Sequence, residues 1–185
     1  MAEELHIAQG GKEDKYALLY AQIKSITEGE DDMIANMANV AAMIQETFGF
    51  WWTGFYRVIG NELVLGPFQG PLACSRIPFG KGVCGTAWKN AETVIVPDVD
   101  AFPGHIACSS ASKSEIVVPV FSKDCHSKVN DHDAGCRGTD YSEGNSDSTG
   151  KKQASIIAVL DIDSSSYATF NEIDRIWLER IVTTL

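Results

Sequence analysis

The chain has 185 residues, with 15 Lys and Arg against 25 Asp and Glu, a formal charge of −10 and a pI near 4.7. Its length holds one core of ordinary size, and 44% hydrophobic with 22% charged residues excludes a wholly disordered or fibrous chain. The acidic balance, without any dense Lys/Arg cluster, argues against nucleic acid and anionic membrane as partners, and the lack of a secretory signal or an apolar run of ~20 residues makes the cytoplasm the expected location.

Tyr16, Leu19, Ile23 and Ile26 recur at three- and four-residue spacing, as do Met33, Met37, Val40 and Ile44. This predicts two amphipathic helices, the second closed by Gly49. The aromatic and β-branched run FWWTGFYRV (50–58), the turn GNE and LVLGPF (63–68) read as a hairpin. Further strands are expected at about 72–78, 93–96, 115–121 and 155–162, with a short helical piece, GVCGTAWKN, between two of them. A last helix is expected near Thr169, where Thr169 and Glu172 match a capping box, burying Phe170, Ile173, Trp177 and Ile181. Helices at both ends with strands between predict an α+β fold, a central antiparallel sheet backed by N- and C-terminal helices.

Residues 122–153 break this regularity: SKDCHSKVNDHDAGCRGTDYSEGNSDSTGKKQ is rich in Ser, Gly, Asp and Lys and nearly empty of large apolar side chains. It reads as a polar, mobile insertion between two paired strands, within a chain that otherwise forms a single domain over 1–185. Cys125, His126, His132 and Cys136 fall inside it. Two Cys and two His offer zinc donors, but not as the ligand pairs on turns that zinc sites use, so a solvated loop without metal is expected.

Five cysteines is an odd number, and without a secretory signal they read as working thiols rather than permanent disulfides. Cys74 and Cys84 lie ten residues apart in GPFQGPLACSRIPFGKGVCGTAWKN, and Cys108 lies in VPDVDAFPGHIACSSASKSEIVVP. Glycine, proline and small residues flank all three, which predicts loop or element-end thiols within reach of a ligand rather than packed core thiols. A turn or helix starting at SSAS would aim free N–H groups at a Cys108 thiolate or a bound carboxylate; an inert loop cysteine is the competing reading.

The run GFWWTGFY and the blocks LGPFQGPLACSRIPFGKGVCGTAW and VPDVDAFPGHIACSSASKSEIVVP, closed by AVLDIDS, closely resemble the free methionine-(R)-sulfoxide reductases, which are GAF-domain enzymes. The resemblance runs from about residue 13 to residue 185, interrupted by the insertion. It implies a GAF-like fold and thiol-dependent reduction of free L-methionine (R)-S-oxide to L-methionine, with thioredoxin as electron donor and no cofactor. A homodimer is left open. The competing class is a GAF domain that senses a small molecule or redox state without turnover, since fold alone does not fix function.

Sulfoxide reduction needs a thiolate on one side of the sulfur and a carboxylic acid on the other. Glu115 opens a strand just after the Cys108 loop, while Asp161 and Asp163 share one face of a strand because side chains alternate. Three carboxylates converging on one pocket would raise at least one pKa. By family match Glu115, Asp161 and Asp163 are the polar pocket members and Trp52 is the apolar wall, with Tyr56 a neighbouring aromatic suited to the methylthio end. Of Trp51 and Trp52, which alternate on a strand, one should face the core. Asp163 is the expected general acid and Glu115 the expected partner of the substrate ammonium. In the implied cycle Cys108 attacks the sulfur and becomes a sulfenic acid, and Cys74 or Cys84 condenses with it to a disulfide that thioredoxin opens. Members of the family are read with the nucleophile at the position of Cys108 or of Cys84; Cys108 is taken as the nucleophile here, and Cys125 and Cys136 as dispensable.

Overall fold

The computed structural model describes residues 4–104, 111–122 and 155–185, so that Cys108, Cys125, His126, His132 and Cys136 lie outside the described residues. Two helices open the chain, α1 (Lys12–Thr27) and α2 (Met33–Phe48). Asp32 starts the second by accepting the Ala35 N–H at 2.9 Å, and Gly49, in the left-handed conformation at φ 66°, ends it by donating its N–H to the Gln45 carbonyl. The hairpin follows as β1 (Trp52–Ile59) and β2 (Glu62–Gln69), turning at Gly60 with φ 60°. Then come β3 (Arg76–Pro78), α3 (Gly82–Asn90), β4 (Val94–Val96), a 3-10 turn (Val99–Ala101), β5 (Ser114–Phe121), β6 (Ile156–Ser164) and α4 (Glu172–Val182). The six strands form one sheet in the order β3-β2-β1-β6-β5-β4, with every neighbouring pair antiparallel.

The alternation of side chains gives this sheet two working faces. On one, Phe55, Ile116, Val118, Val120, Ala158, Leu160 and Ile162 pack against the buried sides of α1, α2 and α4. On the other, Trp52, Tyr56, Val117 and Val159 join Ile77, Val83, Cys84, Ala87 and Val96 in a second, smaller cluster under α3. The helix-backed face is mostly apolar and closes the main core, with Thr53 donating its hydroxyl to Gln45 Oε1 of α2 at 2.9 Å. The α3 face is only partly filled, which leaves room for a cavity.

Two expectations need correction. The strand foreseen at 72–78 shrinks to Arg76–Pro78, because Gly70, at φ 126°, turns the chain and Pro71 has no N–H to give to a ladder. Residues 71–75 cross over the sheet instead, held by Tyr56 Oη donating to the Cys74 carbonyl at 3.0 Å and by the Leu65 N–H donating to the Ser75 carbonyl. The final helix begins at Glu172 and is capped by Asn171, whose side chain and that of Asp174 form the reciprocal capping pair; Thr169 Oγ1 instead donates to Ser164 Oγ. Its inner face carries Asp174, Leu178, Ile181 and Val182, so Ile173 is turned outward at 37% exposure. The phase is set by a buried carboxylate: Asp174 accepts from Lys12 Nζ at 2.7 Å and from Tyr16 Oη at 2.9 Å, which satisfies a charge that could not otherwise be buried.

The strands on either side of the polar insertion do pair, from Ser114 opposite Ser164 to Phe121 opposite Ile156. Past the last pair the Ser122 N–H still donates to the Ser155 carbonyl at 2.8 Å.

Candidate active site

Sheet register assembles the site. Trp52 on β1 lies opposite Asp163 on β6, which lies opposite Glu115 on β5; one step along, Gly54 faces Asp161. Because residues directly opposite one another point to the same face, the three carboxylates and the Trp52 ring share the α3 side of the sheet. Together with Tyr56, Cys84, Ser112, Lys81, Trp51 and the 71–73 segment they line one cavity.

Trp52 is held in place by what its neighbours lack. Its ring lies 5.9 Å from that of Tyr56 and 5.4 Å from that of Phe68, centroid to centroid, and its Nε1 donates to the Pro71 carbonyl at 3.1 Å. A Cβ at Gly54 would collide with Phe68 Cβ and come within 2.6 Å of the indole edge at Cη2; one at Gly70 would come within 2.8 Å of Cδ1. Trp51, the alternate residue, is 37% exposed but also touches the cavity rim.

Cys84 sits in the first turn of α3, which Gly82 opens at φ 62° and which lies so close to β3 that a Cβ at Gly85 would be 2.8 Å from the Pro78 carbonyl. The close approach drives the thiol down to the carboxylates, where Sγ donates to Glu115 Oε1 at 3.9 Å. Cys84 is therefore packed within the second cluster while also facing the cavity, a correction to the expectation that it is not a packed core thiol. It is a free thiol, whereas Cys74, in the crossing segment above, is disulfide-bonded. Sγ of Cys84 and one oxygen each of Glu115 and Asp161 lie within 4.8 Å of one another, a donor set of the kind that holds a cation.

This crowding shifts every proton affinity in the same direction. Burial, then the charges of Asp161 and Asp163, push Glu115 well above the ordinary carboxylate range. Burial, then Asp163, does the same to Asp161, and Asp161 Oδ1 is left buried without a hydrogen-bond partner among the described residues. Burial raises Asp163 to about 6, opposed by a hydrogen bond from Ser112. The Cys84 thiol is pushed well up by burial and then by Asp161 and Glu115, so it stays protonated at neutral pH. Tyr56 is raised too, by burial and then by Asp161. Several acids share a buried site and cannot all ionise at once.

Of the sequence-expected site residues, Trp52, Tyr56, Cys84, Glu115, Asp161 and Asp163 line the cavity, while Cys74 stands beside it, next to the lining residue Ala73. Cys108 lies outside the described residues. Ser112, buried and bonded to Asp163, was not singled out in the sequence, where it is one of four serines in SSASKS, 109–114.

A six-stranded antiparallel sheet backed on one face by the terminal helices, with a cavity under α3 on the other, defines the class: the family model of the GAF domain matches residues 32–185. GAF domain-containing protein A of Dictyostelium discoideum is 48% identical across the whole of this chain and 99% of its own length, and the free methionine-R-sulfoxide reductase of Escherichia coli is 37% identical over 94% of this chain and 88% of its own. The X-ray structure of free methionine-R-sulfoxide reductase from Neisseria meningitidis in complex with its substrate matches with a TM-score of 0.79 at 44% identity, over 98% of this chain and 92% of that one. The chain belongs to the free methionine-R-sulfoxide reductase family of GAF-domain proteins.

Proposed function

We propose that the protein reduces free L-methionine (R)-S-oxide to L-methionine in the cytoplasm, through a cysteine sulfenic acid and an intramolecular disulfide that thioredoxin recycles. The observation that carries this reading is the convergence of Glu115, Asp161 and Asp163 on a cavity walled by Trp52. A free amino acid brings an ammonium at one end and a methyl sulfoxide at the other. The buried carboxylates, with Asp161 Oδ1 unpartnered, suit the ammonium, whose charge relieves their mutual repulsion. The Trp52 face suits the methylthio group.

Asp163, with its pKa raised to about 6, holds enough proton near neutrality to act as the general acid on the sulfoxide oxygen. The Cys108 thiolate attacks the activated sulfur and the sulfur–oxygen bond breaks. The oxygen passes to Cys108 Sγ, forming a new sulfur–oxygen bond: the substrate gains two electrons and leaves as the thioether, and Cys108, oxidised by two electrons, becomes the sulfenic acid. A second thiol displaces that oxygen as water and forms a disulfide, and the dithiol of thioredoxin reduces the disulfide. One sulfoxide and one dithiol thus give one thioether, one disulfide and one water. Cys74 is the resolving thiol in this scheme: it already takes part in a disulfide, whereas Cys84 is buried, free and disfavoured from ionising. Cys84 serves as pocket wall, donating to Glu115.

The reading is tested by turnover. With dithiol in excess, the protein should consume free methionine (R)-sulfoxide in many-fold excess over enzyme and leave the S epimer untouched, because one epimer alone aims its oxygen at the acid and its sulfur at the thiol. Binding without consumption would leave a sensor. Comparable reduction of the S epimer, or of methionine sulfoxide within a peptide, would contradict an enclosed pocket.

The glycine under the indole makes a separate, graded prediction. Gly54→Ala should push Trp52 off its seat and raise KM by about tenfold, the scale of one methylene misplaced in an apolar pocket, while kcat changes less. Steady-state kinetics on free sulfoxide measures this; an unchanged KM would remove Trp52 from the binding wall.

A further inference from the structure

Ser112 stands where the strand ladder meets the segment that leads back to Cys108. Its position is fixed by the backbone of the residues that follow it. The Lys113 N–H donates to the Ser164 carbonyl at 2.7 Å, the Val99 N–H donates to the Lys113 carbonyl at 3.0 Å, and the β5–β6 ladder begins one residue on, at Ser114. Ser112 is 5% exposed, and its Oγ donates to Asp163 Oδ1 at 2.5 Å. A hydroxyl has one proton to give, so the oxygen receiving it is the one that need not carry its own.

We propose that Ser112 is a positioning residue for the reduction: by donating to Oδ1 of Asp163 it leaves Oδ2 as the oxygen that carries the proton and delivers it to the sulfoxide. This rests on the reading of Asp163 as general acid. It also assigns a distinct part to the hydroxyl that, among the described residues, favours the ionised form of that group. Asp163 is faced by Asp161 on its own strand, Glu115 on β5, Cys84 on α3 and Tyr56 on β1, and each of these acids shares an unfavourable charge interaction with it. Burial raises Asp163, and Ser112 pulls against that rise. The hydroxyl therefore selects the protonated oxygen and keeps the acid strong enough to give the proton up.

The test is the pH profile of kcat/KM for free methionine sulfoxide. An acid must hold its proton, so activity falls as pH rises through the Asp163 titration. Ser112→Ala removes the opposing bond and should move that falling limb up by about one pH unit, with kcat lowered about tenfold. KM should change far less than kcat. Ser112→Thr, which keeps the hydroxyl, should restore the wild-type limb. In an Asp163→Asn background, Ser112→Ala should cause no further loss of kcat, because the two groups act as one unit. Ser112→Gly replaces the Ala variant if that protein does not fold. A limb left in place by Ser112→Ala, while Asp163→Asn abolishes it, overturns the role of Ser112 and leaves the acid standing. A wild-type protein that consumes no sulfoxide overturns the function itself, and this inference with it.

Discussion

Cys108→Ser is expected to release no methionine even in a single turnover without reductant, because a serine hydroxyl is scarcely ionised at neutral pH and cannot take the sulfoxide oxygen. The other thiols separate from it by stage. Cys74→Ser should still release up to one methionine per enzyme and then stall, losing thioredoxin-driven turnover, since the resolving thiol acts only after product has left. Cys84→Ser should retain the first turnover. Its thiol is held protonated by burial and by Asp161 and Glu115, the reverse of the electropositive setting that makes a cysteine reactive. Quenched single-turnover assays with methionine quantified per enzyme distinguish the three. Release retained by Cys108→Ser and lost in Cys84→Ser would reverse the assignment of nucleophile.

The second large effect is expected at Asp163. Asp163→Asn preserves the shape of the side chain and removes its transferable proton, so the rate should fall by about 10²-fold or more. The pH dependence carries the sign. The wild-type value of kcat/KM should decline as pH rises past about 6, where Asp163 loses its proton, and the Asn variant should show no such limb. Glu115→Gln should act mainly on KM, through the lost attraction for the substrate ammonium. Near-wild-type kinetics in both variants would take the carboxylates out of the mechanism.

Much of the architecture was legible in the chain because it rests on local rules. The period of Tyr16, Leu19 and Ile23, the glycine that ends α2 and the hairpin around Gly60 each announce themselves within a few residues. The site residues were legible for another reason: Trp52, Glu115, Asp161 and Asp163 stand in blocks that resemble a known family, and alternation alone puts the two aspartates on one face. What could not be read was set by partners distant in sequence. The phase of α4 depends on Asp174 finding Lys12 and Tyr16, some 160 residues away, and nothing near Asp174 signals that pairing. The glycines beside Cys84 point to a thiol at an element end outside any packed core; they instead let α3 press against β3 and bury it. Ser112 had no sequence signal beyond its place in a run of serines.

The backbone bridge between Ser122 and Ser155 lies at the far end of β5 and β6 from the carboxylates, seven residue steps or roughly 23 Å along the strands from Glu115. Chain added there enters and leaves through a doorway two residues wide, and the entropy of closing a loop grows only with the logarithm of its length, about 0.6 kcal/mol for each doubling. Growth or loss of sequence at this point thus costs the fold little, and the two residues that anchor it stand apart from the carboxylates. The β5–β6 connection is a port whose two posts stand at the end of the strands that the carboxylates do not share, so a segment can be gained or grafted there without moving the residues that hold Glu115 and Asp163.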